Sequence, residues 1–364
     1  MKKKSIGVIG LKGLPAYGGA AAVGENIINQ LVDEYEFTVY SSSSTTNQKT
    51  GNYHGFNQIV FRKIPFQKIN TLYYYILSAF HALFFGKYDV IHLHHRDAAF
   101  ILTILKIKFK VILTTHGSFH SLPKEKYYKW FFKWNENHFV KKADIVTCVS
   151  KVESNKYHDL LNIDAVFIPN GVNLRQNHLS DDLAINYEYL FFGAGRIMKT
   201  KGLEVLLCAL KKINMEFKLL IAGDIEQTKD YKKEILTLSK NLNVEYLGLI
   251  KDKNQLFNYI RHSKLFIFPS SIEAMSMMLL EAASQKAPII CSDINANKAI
   301  FNEDQVLFFK VDDSTDLANK IKWALDNKLE MQKKADRAFE ELRLKYQWKN
   351  IAKEYDRLYH KLLK

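Results

Sequence analysis

Short runs of Val, Ile, Leu, Phe and Tyr recur along the chain, near 5–10, 37–41, 58–63, 89–93, 109–115, 144–149 and 165–168. A second series follows near 188–194, 217–222, 244–247, 264–268, 288–291 and 306–309. Apolar and polar positions barely alternate within each run, the pattern of parallel strands covered by helices on both faces. Between them, apolar positions take helical spacing, as over 20–33, 201–213, 253–261 and 275–286, and from 314 onward the chain reads as helix. Strand–helix alternation predicts α/β domains with right-handed crossovers. The series breaks once, where IPNGV (168–172) gives way to the polar, aperiodic NLRQNHLSDDLAINYE. This predicts two doubly wound, Rossmann-like domains, 1–175 and 176–345. A C-terminal helix at 346–364 is expected to pack back on the first. Such domains place a ligand at the carboxyl ends of their strands, here in a cleft across which the two face each other.

Two segments stand out against this pattern. Residues 69–86 (INTLYYYILSAFHALFFG) carry no formal charge and reach the lower limit of a membrane span, about 18 residues. Asn70, Thr71, three Tyr, Ser78 and His81 dilute the run, which favours a large buried or interfacial helix. Residues 121–142 combine six Lys with two Trp, three Phe and two Tyr, a mixture suited to an anionic bilayer interface. The opening Met-Lys-Lys-Lys-SIGVIGL is too short in its apolar part for a secretion signal.

Composition narrows the classes further. The chain has 364 residues, 47% hydrophobic and 25% charged, with 16 Gly and 6 Pro, a globular balance rather than a disordered or collagenous one. Cys148, Cys208 and Cys291 lack paired spacing, which excludes a disulfide scaffold or structural zinc site and points to a reducing cytoplasm. A formal charge of +14 suggests a polyanionic partner: nucleic acid, an anionic membrane or a phosphorylated substrate. No recognised nucleic-acid module accompanies it, so nucleic acid is not expected.

Candidate chemistry gathers at strand ends. GLKGLPAYGGAAAVGENI (10–27) puts Gly13, Gly18 and Gly19 between a strand and a helix, where backbone N–H groups can hold a phosphate. It lacks the G-x-G-x-x-G fingerprint of dinucleotide sites, and no acidic ribose ligand closes the second strand. In YLFFGAGRIMKTKG (189–202), Arg196 and Lys201 are two cations aimed at one crevice, suited to a diphosphate leaving group. FPSSIEAMSMMLLEAASQKAPIICSD (268–293) carries Glu273 and Glu281. With a helix starting near Ala274, their backbones lie roughly 12 Å apart. That is too far for a close acid–base pair unless the side chains converge, but suits the two ends of an elongated ligand. Free N–H groups at the helix start would face phosphates between them. A carboxylate also accepts well from a vicinal diol such as ribose.

Glu, seven residues, Glu, preceded by Phe-Pro-Ser and followed by Pro-Ile-Ile, resembles the retaining nucleotide-sugar glycosyltransferases of family four, with their GT-B fold. Thr-His-Gly (115–117), Ser150, Pro-Asn-Gly-Val (169–172), Gly-Arg with Lys-Gly (195–196, 201–202) and Ala-Gly (222–223) follow the Gly18–Gly19 loop in the family's order. The opening is similar to a bacterial subgroup that builds capsule, O-antigen or exopolysaccharide units. The resemblance implies that Glu281 binds the donor ribose and Glu273 the donor sugar hydroxyls. Arg196 and Lys201 would hold the diphosphate with the N–H groups of Met275 and Ser276 and the Gly18–Gly19 loop. His116 would line the sugar pocket near the reacting carbon, and the nucleobase would stack near Gly248, Leu249 and Ile250. It further implies transfer with retention, with the leaving phosphate taking the acceptor proton, and neither metal nor other cofactor. The implied partners are a nucleotide-diphosphate sugar and a glycan or polyprenyl-diphosphate-linked acceptor. The enzyme would sit on the cytoplasmic face of the plasma membrane, bound through 121–142.

The sequence departs from the family at two places. Glu-Gly-Phe-Gly is here Glu-Ala-Met-Ser (273–276), and Lys286 stands where a helix-ending Gly is expected, a residue that suits the helix dipole but not a left-handed cap. The first leaves open an altered donor or an inactive nucleotide-sugar-binding homologue. A nucleotide-sugar epimerase of the same architecture is the other alternative.

Overall fold

The structure is a computed structural model that describes residues 3–16, 19–53, 55–117, 129–174, 187–213, 217–226 and 228–364. The described residues form two compact units, Met1–Asn170 with Trp348–Lys364, and Gly171–Gln347.

The first unit holds β1 (Lys4–Lys12), α1 (Gly19–Leu31), β2 (Tyr35–Ser42), β3 (Gly51–Tyr53), β4 (Phe56–Phe61), α2 (Gln67–Phe85), β5 (Val90–His94), α3 (Leu102–Leu105), β6 (Lys110–Thr115), α4 (Lys129–Phe139), β7 (Ile145–Cys148), α5 (Lys151–Leu161) and β8 (Val166–Phe167). Its sheet runs β3-β4-β2-β1-β5-β6-β7-β8, parallel throughout except for β3 against β4. Ile9, Ile91, Leu93, Val111 and Leu113 pack one face of it against Tyr74, Tyr75, Ala79 and Ala82 of α2. Burial on both sheet faces explains the unalternating apolar runs. Gly51–Tyr53 escaped the hydrophobic pattern because three residues at an exposed edge carry no apolar run.

The second unit holds β9 (Tyr189–Arg196), α6 (Leu203–Lys212), β10 (Lys218–Asp224), α7 (Lys229–Leu238), β11 (Val244–Gly248), α8 (Lys253–His262), β12 (Leu265–Phe268), α9 (Met277–Ser284), β13 (Ile289–Ser292), α10 (Asn295–Lys298), β14 (Leu307–Phe309), α11 (Ser314–Asp326) and α12 (Lys328–Lys345). Its sheet is fully parallel, β11-β10-β9-β12-β13-β14. Leu190, Phe192, Leu219, Ile221 and Ile267 form its core with Leu206, Leu207, Leu317 and Ile321.

The last helix, α13 (Trp348–Leu363), belongs to the first unit. Tyr35 donates to Asp356 at 2.6 Å and Lys110 to the Leu362 carbonyl at 2.6 Å, while Tyr355 and Tyr359 are buried. Among the described residues no helix is long and apolar enough to cross a membrane; the 69–86 segment is α2, its inner face in the core.

Candidate active site

In the second unit the candidate residues converge at the carboxyl ends of the strands. Arg196 ends β9 and is exposed. A single 3₁₀ turn, Lys199–Lys201, follows it and is stapled to the β12–α9 loop by Ser271, whose N–H donates to the Thr200 carbonyl at 2.9 Å. Gly202 makes the close approach possible. Its φ is +68°, and a Cβ there would lie 2.2 Å from the Pro269 carbonyl oxygen. The staple brings the Lys201 ammonium within 2.6 Å of the Glu273 carboxylate, a pair only 23% and 11% exposed. One cation thus holds the acid in place while keeping donors for a further anion.

The helix expected from Ala274 begins instead at Met277, because Ser276 caps it, its hydroxyl accepting from the Leu279 N–H at 3.4 Å. Glu273 therefore lies in the loop just before the helix, and the backbone separation from Glu281 drawn from a continuous helix does not apply. The Ser276 N–H stands at the head of α9, where helix donors lack intrahelical partners, with Met275 just before it. Met275 and Ser276 are both buried. Glu281, 6% exposed, accepts from Lys253 Nζ at 2.6 Å.

Lys253 was not singled out by sequence; it opens α8, whose cap Asp252 accepts from the Asn254 N–H. It ties Glu281 to the β11–α8 loop, where Gly248 (φ +67°) turns the chain. Leu249 and Ile250 there border a depression of about 330 Å³, also lined by Leu247, Lys251, Asp252, Gln255 and Tyr259. The ion pair thus joins Glu281 to the first residue of α8, three positions after Ile250. Among the described residues no group of three or more His, Cys, Asp or Glu is placed to hold a metal ion.

In the first unit Gly19 opens α1 with φ +60° and open space where a Cβ would stand, while Gly18 lies outside the described residues. His116 directly follows β6 and belongs to a ladder of imidazoles that sequence reading missed. His94 Nδ1 lies 3.3 Å from His116 Nε2, the two rings nearly parallel, and His92 stacks on His94 with ring centres 4.0 Å apart. His92 and His94 project on the same face of β5, as residues two apart do. Gly10 lets β1 pass close to the end of β5, since with φ +111° a Cβ would lie 1.8 Å from the His94 carbonyl oxygen. Burial pushes His92 and His116 down to about 3 and His94 well below its ordinary value, so all three rings are neutral at physiological pH. Three histidines in HLHHR (92–96) were the available signal.

The basic aromatic stretch is described from Lys129 onward; 121–128 lie outside the described residues. In α4 the buried positions include Asn135, which donates to the Arg96 carbonyl at 2.9 Å, and Glu136, which accepts from Tyr157 at 2.6 Å. Lys133, Lys141 and Lys142 are exposed.

Comparison with known proteins settles the family. Residues 17–176 match the model for Glycosyltransferase Family 4, and 176–341 that for Glycosyl transferases group 1. The chain is a family-four glycosyltransferase. This glycosyltransferase is 25% identical to an uncharacterized glycosyltransferase of Methanocaldococcus jannaschii, over 96% of either chain. It is 27% identical to the UDP-Gal:alpha-D-GlcNAc-diphosphoundecaprenol alpha-1,3-galactosyltransferase of Escherichia coli over 70% of either chain. Its fold is GT-B. Sucrose-phosphate synthase of Thermosynechococcus elongatus superposes with a TM-score of 0.83 at 20% identity over 99% of both chains. Anabaena HepE, solved with UDP and glucose, gives 0.76 at 17% identity over 98% of this chain and 99% of its own.

Proposed function

We propose that this glycosyltransferase moves a hexose-type sugar, with retention, from a UDP-sugar to a lipid-linked glycan of a bacterial capsule, O-antigen or exopolysaccharide. The observation that carries the reading is the pair of lysine-held carboxylates, Lys201–Glu273 and Lys253–Glu281, flanking the capped start of α9. In this arrangement Arg196 and Lys201 neutralise the diphosphate, the Met275 and Ser276 N–H groups and the Gly18–Gly19 loop assist, and Glu273 orients the sugar hydroxyls. Glu281 takes the ribose diol, and the base lies on Gly248, Leu249 and Ile250. His116, a neutral ring, serves the sugar from the first unit, the acceptor side, while the second unit is the donor side. A neutral imidazole donates or accepts a hydrogen bond without adding charge beside the anomeric carbon. The departing phosphate takes the acceptor proton, so no separate general base is required, and the diphosphate charge is met by Arg196, Lys201 and N–H groups without a metal.

The UDP and glucose bound to HepE support a uridine donor. The diphosphoundecaprenol substrate in the E. coli relative's name, and the diphospho-undecaprenol acceptor in that of a 26% identical Campylobacter jejuni N-acetylgalactosaminyltransferase, support a lipid-linked acceptor. Such an acceptor calls for a protein held on the cytoplasmic membrane face, with Lys-rich 121–142 as one contact. The test is a metal-free thermal-shift series with UDP, GDP, TDP, CDP, ADP and NAD. Stabilisation by UDP that is lost in Arg196→Ala is the expected result; a response to NAD alone, or to none of them, overturns the site. Consumption of UDP-sugar without acceptor, yielding an epimer, would favour the epimerase alternative.

A further inference from the structure

Helix α2 carries apolar side chains on two opposite sides. Tyr74, Tyr75, Ser78, Ala79 and Ala82 face the core, yet on the opposite side Ile69, Leu72, Ile76, Phe80 and Phe84 form a continuous stripe at spacings of three and four, all exposed. Phe84 is 69% exposed and Phe85 73%, and the Phe80 and Phe84 rings stack at 6.2 Å. A soluble surface helix normally turns charged residues outward; one apolar on both sides has a second apolar environment to meet. Along the chain the charge around it is of one sign, while in space Asp144 pairs with Lys106 beyond its far end at 2.6 Å. Between Glu36 and Asp89 the sequence has no acidic residue but has Lys49, Arg62, Lys63, Lys68 and Lys87. Arg62 and Lys63 precede the helix and are exposed. At its other end Lys108 donates to the carbonyls of Leu83 and Gly86, which ties in the turn of Lys106 and Ile107, the latter 72% exposed.

We propose that α2 is a membrane-docking helix that lies in the interface of an anionic bilayer, its Phe84 end and Ile107 inserted among the acyl chains and the flanking cations on the headgroups. An apolar stripe on a helix rimmed by cations at both ends is the chemistry of interfacial binding. Charge argues against a second copy of this chain, whose same face would bring like cations together. The inference deepens the lipid-linked acceptor reading by naming the surface that meets the lipid, and uses no residue of the donor site.

The test is co-sedimentation of the full chain with phosphatidylcholine vesicles, with and without phosphatidylglycerol, at low and high salt. The wild type is expected to partition onto the anionic vesicles and to be weakened by salt. Phe80→Gln/Phe84→Gln should lower that partition by about tenfold or more while keeping the UDP thermal shift. As an independent probe, Phe84→Trp should gain an emission component quenched by brominated lipid. Unchanged partition of the double variant, or an unquenched Phe84→Trp, overturns the proposal, as does binding lost only on neutralising the lysines of 121–142. A dimer broken by the double substitution, with vesicle binding intact, would assign the face to a second copy. Absence of any UDP response in the wild type would sink the donor reading and leave the vesicle result standing, so the two failures are distinguishable.

Discussion

The Tyr359 hydroxyl, on the last helix of the chain, lies 2.7 Å from Nδ1 of His92 on β5. The other nitrogen of that ring meets Thr114 Oγ1 at 2.7 Å, and Thr114 in turn meets Thr147 at 2.7 Å. A segment 267 positions away thus satisfies a buried imidazole on which His94, and then His116, are stacked. Tyr359→Phe keeps the ring and its packing but leaves one buried nitrogen without this partner. It should cost about 1–3 kcal/mol of stability with UDP affinity unchanged. Urea denaturation beside calorimetric UDP titration checks this; wild-type stability would refute it.

The same ladder makes the fold acid-sensitive. His92 and His116 are pushed down to about 3 from an ordinary 6.5, and His94 well below it, by burial. His95, Arg96, Tyr355 and Tyr359 are the other titratable groups around them, and His95 and Arg96 add repulsion on His116. Between about 3 and 6.5 the unfolded chain binds more protons than the native one, so stability rises with pH across that window and is lost as pH falls. His92 and His116 should each cost about 2 kcal/mol on going from pH 7 to pH 5, with His94 adding in the same direction. Denaturation curves at the two values should differ by several kcal/mol; coincident curves would contradict a neutral, buried ladder.

Lys201 and Glu273 have separable expected roles although they touch. Lys201→Met removes a diphosphate cation and should weaken UDP binding about tenfold to a hundredfold. Glu273→Gln keeps the shape of the side chain and should lower kcat with UDP affinity largely retained. Because the groups form an ion pair, the double variant should fall short of the sum of the singles by about 1 kcal/mol. Titration calorimetry and steady-state rates on all four proteins decide it; UDP affinity unaffected by Lys201→Met would remove that residue from the phosphate site.

Both sheets were legible in the chain because burial on two faces writes strands as plain apolar runs; among the described strands only β3, three residues at an edge, left no such mark. The candidate site was legible through residues whose chemistry is local, such as Glu273, Glu281 and Arg196. Its couplings were not. Lys253 reaches Glu281 from another helix, and Tyr359 reaches His92 from the far end of the chain, so neither spacing carries a signal. The start of α9 was misplaced because Ser276 reads equally well as a helical residue or a cap, and its hydroxyl bond to the Leu279 N–H decides for the cap.

Glu281, held by Lys253, is expected to recognise the ribose diol. The wild type should then prefer UDP over 2′,3′-dideoxy-UDP, since a buried carboxylate that loses its hydrogen-bond donors is costly. In Glu281→Gln the preference should shrink toward unity while affinity for UDP falls about tenfold. Competition binding with the two nucleotides measures the ratio. Full discrimination retained by the variant would place the ribose elsewhere.

Lys286 departs from the glycine expected at the end of α9, yet it adopts the glycine conformation, φ +57°. The Ala287 N–H bonds the Ala282 carbonyl and the Lys286 N–H that of Ala283, the two bonds of a Schellman cap. A side chain in the left-handed region costs about 1–2 kcal/mol. Lys286 offsets part of that through Asp336, 3.0 Å from its ammonium, and the Phe339 ring, 4.9 Å away. Alanine would lose both contacts and keep the strain, whereas glycine would lose the contacts and shed the strain. Lys286→Gly should therefore be more stable than Lys286→Ala by about 1 kcal/mol and close to the wild type. Denaturant midpoints of the three proteins test the ordering; an alanine variant as stable as the glycine one would mean that the backbone relaxes out of the left-handed cap.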